Sequence, residues 1–336
     1  RQKRFHEALE KCRYTSLDDE EEYSIDVIQP EKIEFKQNSY EDGENSIISF
    51  PEFLLLVLDV CTGGEQPASH YQPDKLIEKF DALKTYFTAG EFYEKMLYYR
   101  LLLDYYTIRK DIKDGQGNYS LILKGPKDDS DKLKQYQSML YVSTEAFYNW
   151  LKPYLRKLEQ DELHSCAEML AFLKKGDNER HSILPARKDL SYKASGNIRY
   201  WFWRLDYYLW EQRSTFFNEE EQKIVEHYVF RRNRSIEHLH PQDESHNEEW
   251  EEEAVHSFGN LAMISQSFNS QQSNDHIQIK FARIHEQISN KSLQSIKMFL
   301  MCKLADFNYQ NWTMKLAKEH ENEMIEFLER SFYISD

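Results

Sequence analysis

The sequence contains few residues that form tight turns, and it has no long apolar run. Its 336 residues include only ten glycines and eight prolines, which argues against a β-sandwich or barrel that needs many turns. The longest apolar run, residues 50–61, is too short to cross a bilayer and includes Glu52 and Asp59. We therefore expect a mainly helical protein that does not enter a membrane.

Cysteines are scarce and far apart. Cys12, Cys61, Cys166 and Cys302 include no C-x-x-C pair. This spacing indicates neither a zinc knuckle nor a disulfide framework. It favours a reducing, cytoplasmic setting.

The chain also lacks the positive charge that is typical of nucleic-acid-binding proteins. Its formal net charge is −15, whereas affinity for nucleic acid comes from Lys and Arg side chains that neutralise phosphates. The acidic residues are concentrated in segments such as 17–26 and 247–253, which we interpret as solvated faces, while segment 230–235 is basic. A polyanionic partner would therefore have to bind at a local basic surface.

Apolar residues are abundant enough for a large core. Hydrophobic residues make up 40% of the chain and aromatic residues 14%, and 336 residues exceed the usual size of one domain. We predict a helical domain over residues 1–220 and a second domain over residues 221–336. Because the chain starts at Arg1 without a methionine, we expect the first domain to continue an N-terminal domain that is missing here.

Helical spacing of apolar residues extends through most of the first 213 residues. Two glycine-containing segments interrupt it: residues 114–125 predict a short hairpin, and Gly176, Pro185 and Gly196 predict a loop. We interpret the aromatic residues of segment 197–213 as core packing rather than a surface for stacking bases. The predicted helical segments are 50–62, 73–87, 91–109, 131–175 and 197–213.

The pattern changes near residue 224. Segment 224–242 is rich in residues that favour β-strands, and it is followed by an acidic helix candidate. Segment 258–274 then predicts a turn or short strand, and segment 275–288 predicts a helix. This order predicts a compact unit carried on the helical body.

Three short motifs follow one another in this unit. They are Glu237-His238-x-x-Pro241, then Gly259-Asn260-Leu261, and then Asn269, nine residues after Asn260. In this order and spacing they resemble the HNH, or ββα-metal, nuclease superfamily, in the form found in GmrSD-type modification-dependent restriction endonucleases. The resemblance is specific over about residues 224–290. It implies a mainly α fold, with a helical body that carries a small ββα-metal nuclease module.

The resemblance also implies a role for each motif residue. His238 is the general base, Glu237 and Asn269 are metal ligands, and Asn260 fixes the loop and orients His238. Hydrolysis of a phosphodiester needs an activated water and a cation that stabilises the developing charge. Oxygen ligands suit Mg²⁺ or Mn²⁺, with water and the scissile phosphate completing the shell.

Neighbouring residues on a regular strand point to opposite faces, so Glu237 and His238 share one cleft only if the strand ends or twists there. Pro241 favours such an ending. His240 would share a face with His238 and is a rival base or a third ligand. Arg234 and Lys280 are candidate phosphate contacts. We interpret the remaining nearby histidines as ordinary core or surface residues: His227, His246, His256, His276 and His285.

Three functions remain open from the sequence. The leading hypothesis is a metal-dependent endonuclease that acts on foreign or modified DNA. A catalytically silent nuclease fold that serves as a binding or regulatory module is the second, and an RNA-cleaving toxin is the third. The D-G-Q-Q-R nucleotide-binding motif often found in the N-terminal domain of the family is absent from this sequence.

Overall fold

A computed structural model describes residues 43–112, 119–127, 130–143, 145–231, 234–242, 250–265 and 277–333. These residues belong to one compact unit, Glu41–Asp336. The unit is mainly helical with a few short strands, which confirms the predicted mainly α class. Along the described residues, no helix combines the length and apolar character needed to cross a membrane.

The helices fall into two groups along the chain, before and after the strand that carries the Glu237-His238 pair. The first group is α1 (Phe50–Cys61), α2 (Leu76–Leu83), α3 (Ala89–Tyr106), α4 (Ser130–Val142), α5 (Phe147–Glu159), α6 (Cys166–Arg180), α7 (Ile198–Glu211), α8 (Arg213–Phe216) and α9 (Glu219–Val225). The second group is α10 (Glu252–Val255), α11 (Ile277–Ser289), α12 (Ile296–Leu304) and α13 (Met314–Arg330).

Within the described ranges, five short strands form two antiparallel sheets. The three-stranded sheet has the order β1 (Gly43–Ser46), β2 (Ile108–Ile112), β3 (Tyr119–Leu123). The two-stranded sheet pairs β4 (Arg234–His238) with β5 (Leu261–Ser265). In this second sheet Glu237 lies opposite Ala262 and His238 opposite Leu261.

Several helices begin where the sequence provides a complete cap. In each case the side chain of the first residue accepts a hydrogen bond from a backbone N–H three residues later, and a glutamate at that later position accepts one in return. The pairs are Ser49 with Glu52, Thr88 with Glu91, Ser165 with Glu168, and Asn218 with Glu221. Local sequence therefore determines where these helices start.

The predicted end of the 91–109 helix is wrong. Helix α3 ends at Tyr106, and Thr107 takes an extended conformation with φ −119° and ψ 158°. The backbone N–H of Ile108 then donates to the side-chain oxygen of Gln137 at 2.9 Å instead of to a helical carbonyl. As a result, Ile108 starts β2, which pairs with β3. Only β3 lies within the hairpin predicted over 114–125, because the first strand of the hairpin begins earlier, at Ile108.

The prediction of a loop at Gly176 is also wrong, because α6 continues to Arg180. Gly176 costs a helix about 1 kcal/mol relative to alanine, but its neighbour Asp177 anchors this turn. The fully buried carboxylate of Asp177 accepts hydrogen bonds from Tyr136 at 2.7 Å, Tyr200 at 2.8 Å and Arg204 at 3.1 Å. Tertiary contacts thus override the local preference.

Two clusters of buried apolar residues meet at β5. Leu261 and Met263 belong to the larger cluster, which includes the buried aromatic residues of α7. Ala262 and Ile264 belong to a smaller cluster, together with residues of α11 and α12. Because side chains alternate along a strand, β5 is covered on both faces. The burial of the α7 aromatics confirms that they are core residues.

Helix α7 packs against α4, α12, α13 and β5. It thereby connects the helical body to the sheet of β4 and β5. The division into domains at residues 220 and 221 stays a prediction.

Candidate functional site

Strand β4 carries the Glu237-His238 pair and ends at His238. Beyond it, the N–H of Leu239 donates to the carbonyl of Asn260 at 2.9 Å, so the chain bends towards the start of β5. The predicted ending of the strand before Pro241 is therefore present. It also stops the regular alternation of side chains before His240.

Asn260 joins the two chain segments that flank the site. Its amide nitrogen donates to the carbonyls of His240 and Val255, both at 2.9 Å. Its amide oxygen accepts from the N–H of His240 at 2.8 Å and from the indole of Trp312 at 3.2 Å. Because Asn260 is fully buried, these bonds form in an interior where unpaired polar groups are costly. They fix the main chain two residues after His238.

The turn before β5 depends on a close approach to α13. A side chain at Gly259 would place its Cβ 2.1 Å from the carbonyl oxygen of Ala317. The buried ammonium of Lys297 donates to the carbonyls of Phe258 at 2.8 Å and Leu261 at 2.7 Å. This turn is therefore held from both sides.

The carboxylate of Glu237 forms an ion pair with Lys280 of α11. The same ammonium donates to the carbonyl oxygen of His238 at 2.6 Å. Glu237 and Lys280 are 6% and 4% exposed, so little solvent screens this pair. The structure thus brings together a carboxylate, a carbonyl and a cation at the end of β4.

The imidazole of His238 has a different set of neighbours. Its Nε2 lies 3.0 Å from Nδ1 of His256, and its Nδ1 lies 3.0 Å from the side-chain nitrogen of Gln242. The ring of Tyr192 packs edge-on to His238 at 4.6 Å between centroids and parallel to His256 at 5.7 Å. Both nitrogens of His238 are therefore engaged.

Burial sets the protonation state of the two histidines. It lowers the pKa of His238 to about 3, and the neighbouring His256 and Lys280 act in the same direction. Burial also lowers the pKa of His256, helped by Lys193 and opposed by Glu252. Both rings are therefore neutral at neutral pH, which is the form in which a ring nitrogen can accept a proton.

His240 packs its ring against the indole of Trp250, with centroids 4.0 Å apart and planes within 5°. Its backbone is held by Asn260. The role of His240 as a rival base or ligand stays a prediction.

Some of the other candidate residues lie within the described part of the chain and some lie outside it. Asn269 lies outside the described residues, as do His246 and His276. Arg234 begins β4, where its backbone faces Ser265, and its side chain is not among those described. His227 and His285 are exposed. The roles of Glu237, His238, Asn260, Asn269, Arg234 and Lys280 stay predictions.

His238 has three neighbours that the sequence motifs did not predict: His256, Gln242 and Tyr192. They lie 18, 4 and 46 residues from it in the chain. The pairing of β4 with β5, and the hydrogen bonds from Ser191 and Tyr192 to the carbonyl of His256, bring them together. The one available signal is that His256 comes four residues before Asn260. Within the described residues, no group of three or more His, Cys, Asp or Glu side chains is arranged to hold a metal ion.

Residues 178–327 match the family model for GmrSD restriction endonucleases, C-terminal domain. No curated protein and no solved structure matches the sequence. The matched segment contains β4, β5 and every candidate site residue, and it confirms the resemblance to GmrSD restriction endonucleases, while the HNH assignment stays a prediction.

Proposed function

We propose that this protein is a metal-dependent endonuclease that hydrolyses phosphodiester bonds of foreign or modified DNA in the cytoplasm. The observation that carries the proposal is the position of the adjacent residues Glu237 and His238 at the end of β4, inside the segment that matches a restriction endonuclease domain. Under this proposal, β4, β5 and α11 form an HNH-like ββα module.

The residues at the end of β4 fit a divalent cation. The ammonium of Lys280 contacts both the Glu237 carboxylate and the His238 carbonyl oxygen, so two oxygen atoms already converge on one positive charge. Mg²⁺ and Mn²⁺ prefer oxygen ligands. Glu237 would hold the ion, and Asn269 would join it as the family resemblance implies. When bound, the ion supplies positive charge to the developing phosphorane and leaving oxygen.

His238 is suited to remove a proton from water. Its ring is neutral at neutral pH because burial keeps its pKa low, although a pKa of about 3 also makes it a weak base. A scissile phosphate next to the ring would raise that pKa, since a nearby negative charge favours the protonated form. Substrate would therefore strengthen the base as it binds.

DNA would bind through positive charges around β4. Arg234 is the candidate phosphate contact on the strand itself, and Lys280 is the second, on α11. Lys280 would have to leave Glu237 to reach a phosphate, and a metal ion at Glu237 would favour that exchange. The slope of log K for DNA binding against log salt concentration measures how many phosphates are neutralised. We expect Arg234→Ala to reduce the magnitude of this slope by about one unit.

One observation favours a second candidate function. The ion pair between Lys280 and Glu237 satisfies the carboxylate without a metal ion, as a silent nuclease fold that serves as a binding module would require. Direct metal titration distinguishes the two functions. Mn²⁺ binding that is lost in Glu237→Gln supports the nuclease, and no binding supports the silent module.

Cleavage assays test the proposal directly. The protein is incubated with plasmid, modified phage DNA or structured RNA, each with Mg²⁺, Mn²⁺ or EDTA. We expect cleavage of DNA that requires the metal and is lost in His238→Ala. Cleavage of RNA alone would identify an RNA-cleaving toxin, and no cleavage of any substrate would contradict the nuclease.

A further inference from the structure

The hydrogen bond between His238 and His256 has a defined donor and a defined acceptor. The side-chain nitrogen of Gln242 is a hydrogen-bond donor, and it lies 3.0 Å from Nδ1 of His238. Nδ1 of His238 must therefore accept this hydrogen bond. The neutral ring carries a single hydrogen, which is then on Nε2. Nε2 in turn faces Nδ1 of His256 at 3.0 Å. His238 thus donates and His256 accepts.

His256 is held firmly in the position that receives this hydrogen bond. Its carbonyl oxygen accepts from the N–H of Tyr192 at 3.0 Å and from the hydroxyl of Ser191 at 3.1 Å. The Tyr192 ring lies parallel to the His256 ring, with planes within 15°. His256 is 8% exposed and His238 is 3% exposed, so water has little access to compete for the bond.

We propose that His256 is a positioning residue that fixes His238 with its hydrogen on Nε2 and its lone pair on Nδ1. This inference rests on the proposed nuclease function. Nδ1 of His238 is then the atom that accepts a proton from the attacking water, and Gln242 occupies the side from which that water approaches. After the transfer the ring carries a hydrogen on both nitrogens, and Nε2–H remains bonded to His256, which stabilises the imidazolium.

Two variants separate the hydrogen bond from packing. His256→Asn keeps an oxygen acceptor at the δ position, whereas His256→Phe keeps a ring for Tyr192 to stack on but has no acceptor. Loss of the residue that orients a metal-bound histidine typically costs about 10- to 100-fold in activity, and we apply the same range to His238. We expect His256→Phe to lower kcat by about that factor with KM for DNA unchanged, and His256→Asn to recover part of the loss.

The tautomer of His238 is measured independently of cleavage. Two-bond ¹H–¹⁵N correlation spectra of ¹⁵N-labelled protein report which ring nitrogen carries hydrogen, and His238→Gln assigns the signal. We expect the Nε2–H form in the wild type and in His256→Asn, and a substantial Nδ1–H fraction in His256→Phe. A wild type with hydrogen on Nδ1, or His256→Phe with an unchanged tautomer, would overturn the role of His256.

The cleavage and tautomer measurements test the nuclease function and the role of His256 separately. If the wild type cleaves no substrate but the tautomer responds to His256→Phe, the nuclease function fails while the positioning role of His256 holds. If cleavage is normal and His256→Phe changes neither tautomer nor kcat, only the inference about His256 fails. Circular dichroism of both variants confirms that they are folded, and His256→Asn decides the question if His256→Phe is not.

Discussion

The ammonium of Lys280 contacts both the side chain of Glu237 and the main-chain oxygen of His238. It therefore joins α11 to the end of β4 at the centre of the candidate site. Breaking such a buried pair leaves a charge in a low-dielectric interior, which is more costly than replacing both partners.

We expect Lys280→Met to lower the free energy of unfolding by about 3–5 kcal/mol. The double variant Glu237→Gln, Lys280→Met should recover most of this loss, because no uncompensated charge remains. Urea unfolding of the two single variants and the double variant measures the coupling. Lys315→Met is the control, since Lys315 is 86% exposed and its ion pair with Glu319 spans 3.7 Å. Additive single losses would show that the pair is not coupled.

We expect His238→Ala to reduce DNA cleavage by about 10²- to 10⁴-fold, the usual cost of removing a general base. His227→Ala should leave cleavage unchanged, because His227 is exposed and its Nδ1 bonds to the backbone carbonyl of Lys223, away from the candidate site. Rates of plasmid nicking measure the effect. Retained cleavage in His238→Ala together with its loss in His240→Ala would transfer the role of base to His240.

Gly259→Ala should destabilise the protein by about 1–3 kcal/mol or more, because the new Cβ would lie 2.1 Å from the Ala317 carbonyl oxygen. Either the turn or α13 must move. Gly196→Ala is a matched control, since no heavy atom lies within 4 Å of a Cβ built there. Thermal unfolding compares the two variants, and equal melting temperatures would show that the close approach can relax.

His320 makes stability depend on pH. It is fully buried in α13, and both ring nitrogens are without a hydrogen-bond partner among the described residues. Burial, with a smaller contribution from Lys297, lowers its pKa well below 6.5. The unfolded chain therefore binds a proton below about pH 6.5 that the folded chain excludes, and stability falls as the pH decreases through this range.

Substitution with phenylalanine tests this dependence. Between pH 7.5 and pH 5 we expect His320→Phe to lose less stability than the wild type, by about 2 kcal/mol at most. Urea unfolding at both pH values measures the difference, with His227→Phe as the exposed control. An identical loss in His320→Phe and the wild type would show that His320 does not cause the pH dependence.

Local sequence predicts much of this fold because many helices carry their own start signals, such as Ser49 with Glu52. It fails where a distant residue decides the outcome. Gln137 draws Ile108 out of the helical pattern, and the contacts of Asp177 keep Gly176 inside α6. Gln137 lies 29 residues from Ile108, and the residues that donate hydrogen bonds to the Asp177 carboxylate lie at least 23 residues from it.

Local sequence also predicts only part of the candidate site. The order of the motifs led to Glu237, His238 and Asn260, because each motif is local. The partners of these residues come from other elements: Lys280 from α11 and His256 from the end of α10. Only the pairing of β4 with β5 and the packing of α11 reveal them.

The packing of strand β5 also affects the residues of the candidate site on β4. Its side chains enter two apolar clusters alternately, while its backbone pairs with Glu237 and His238. Close-packed interiors transmit small displacements instead of absorbing them. A change of side-chain volume deep in the helical body would therefore shift β5 and, through the ladder, move the two candidate site residues. The packing of β5 against the helical body thus contributes to the positions of Glu237 and His238.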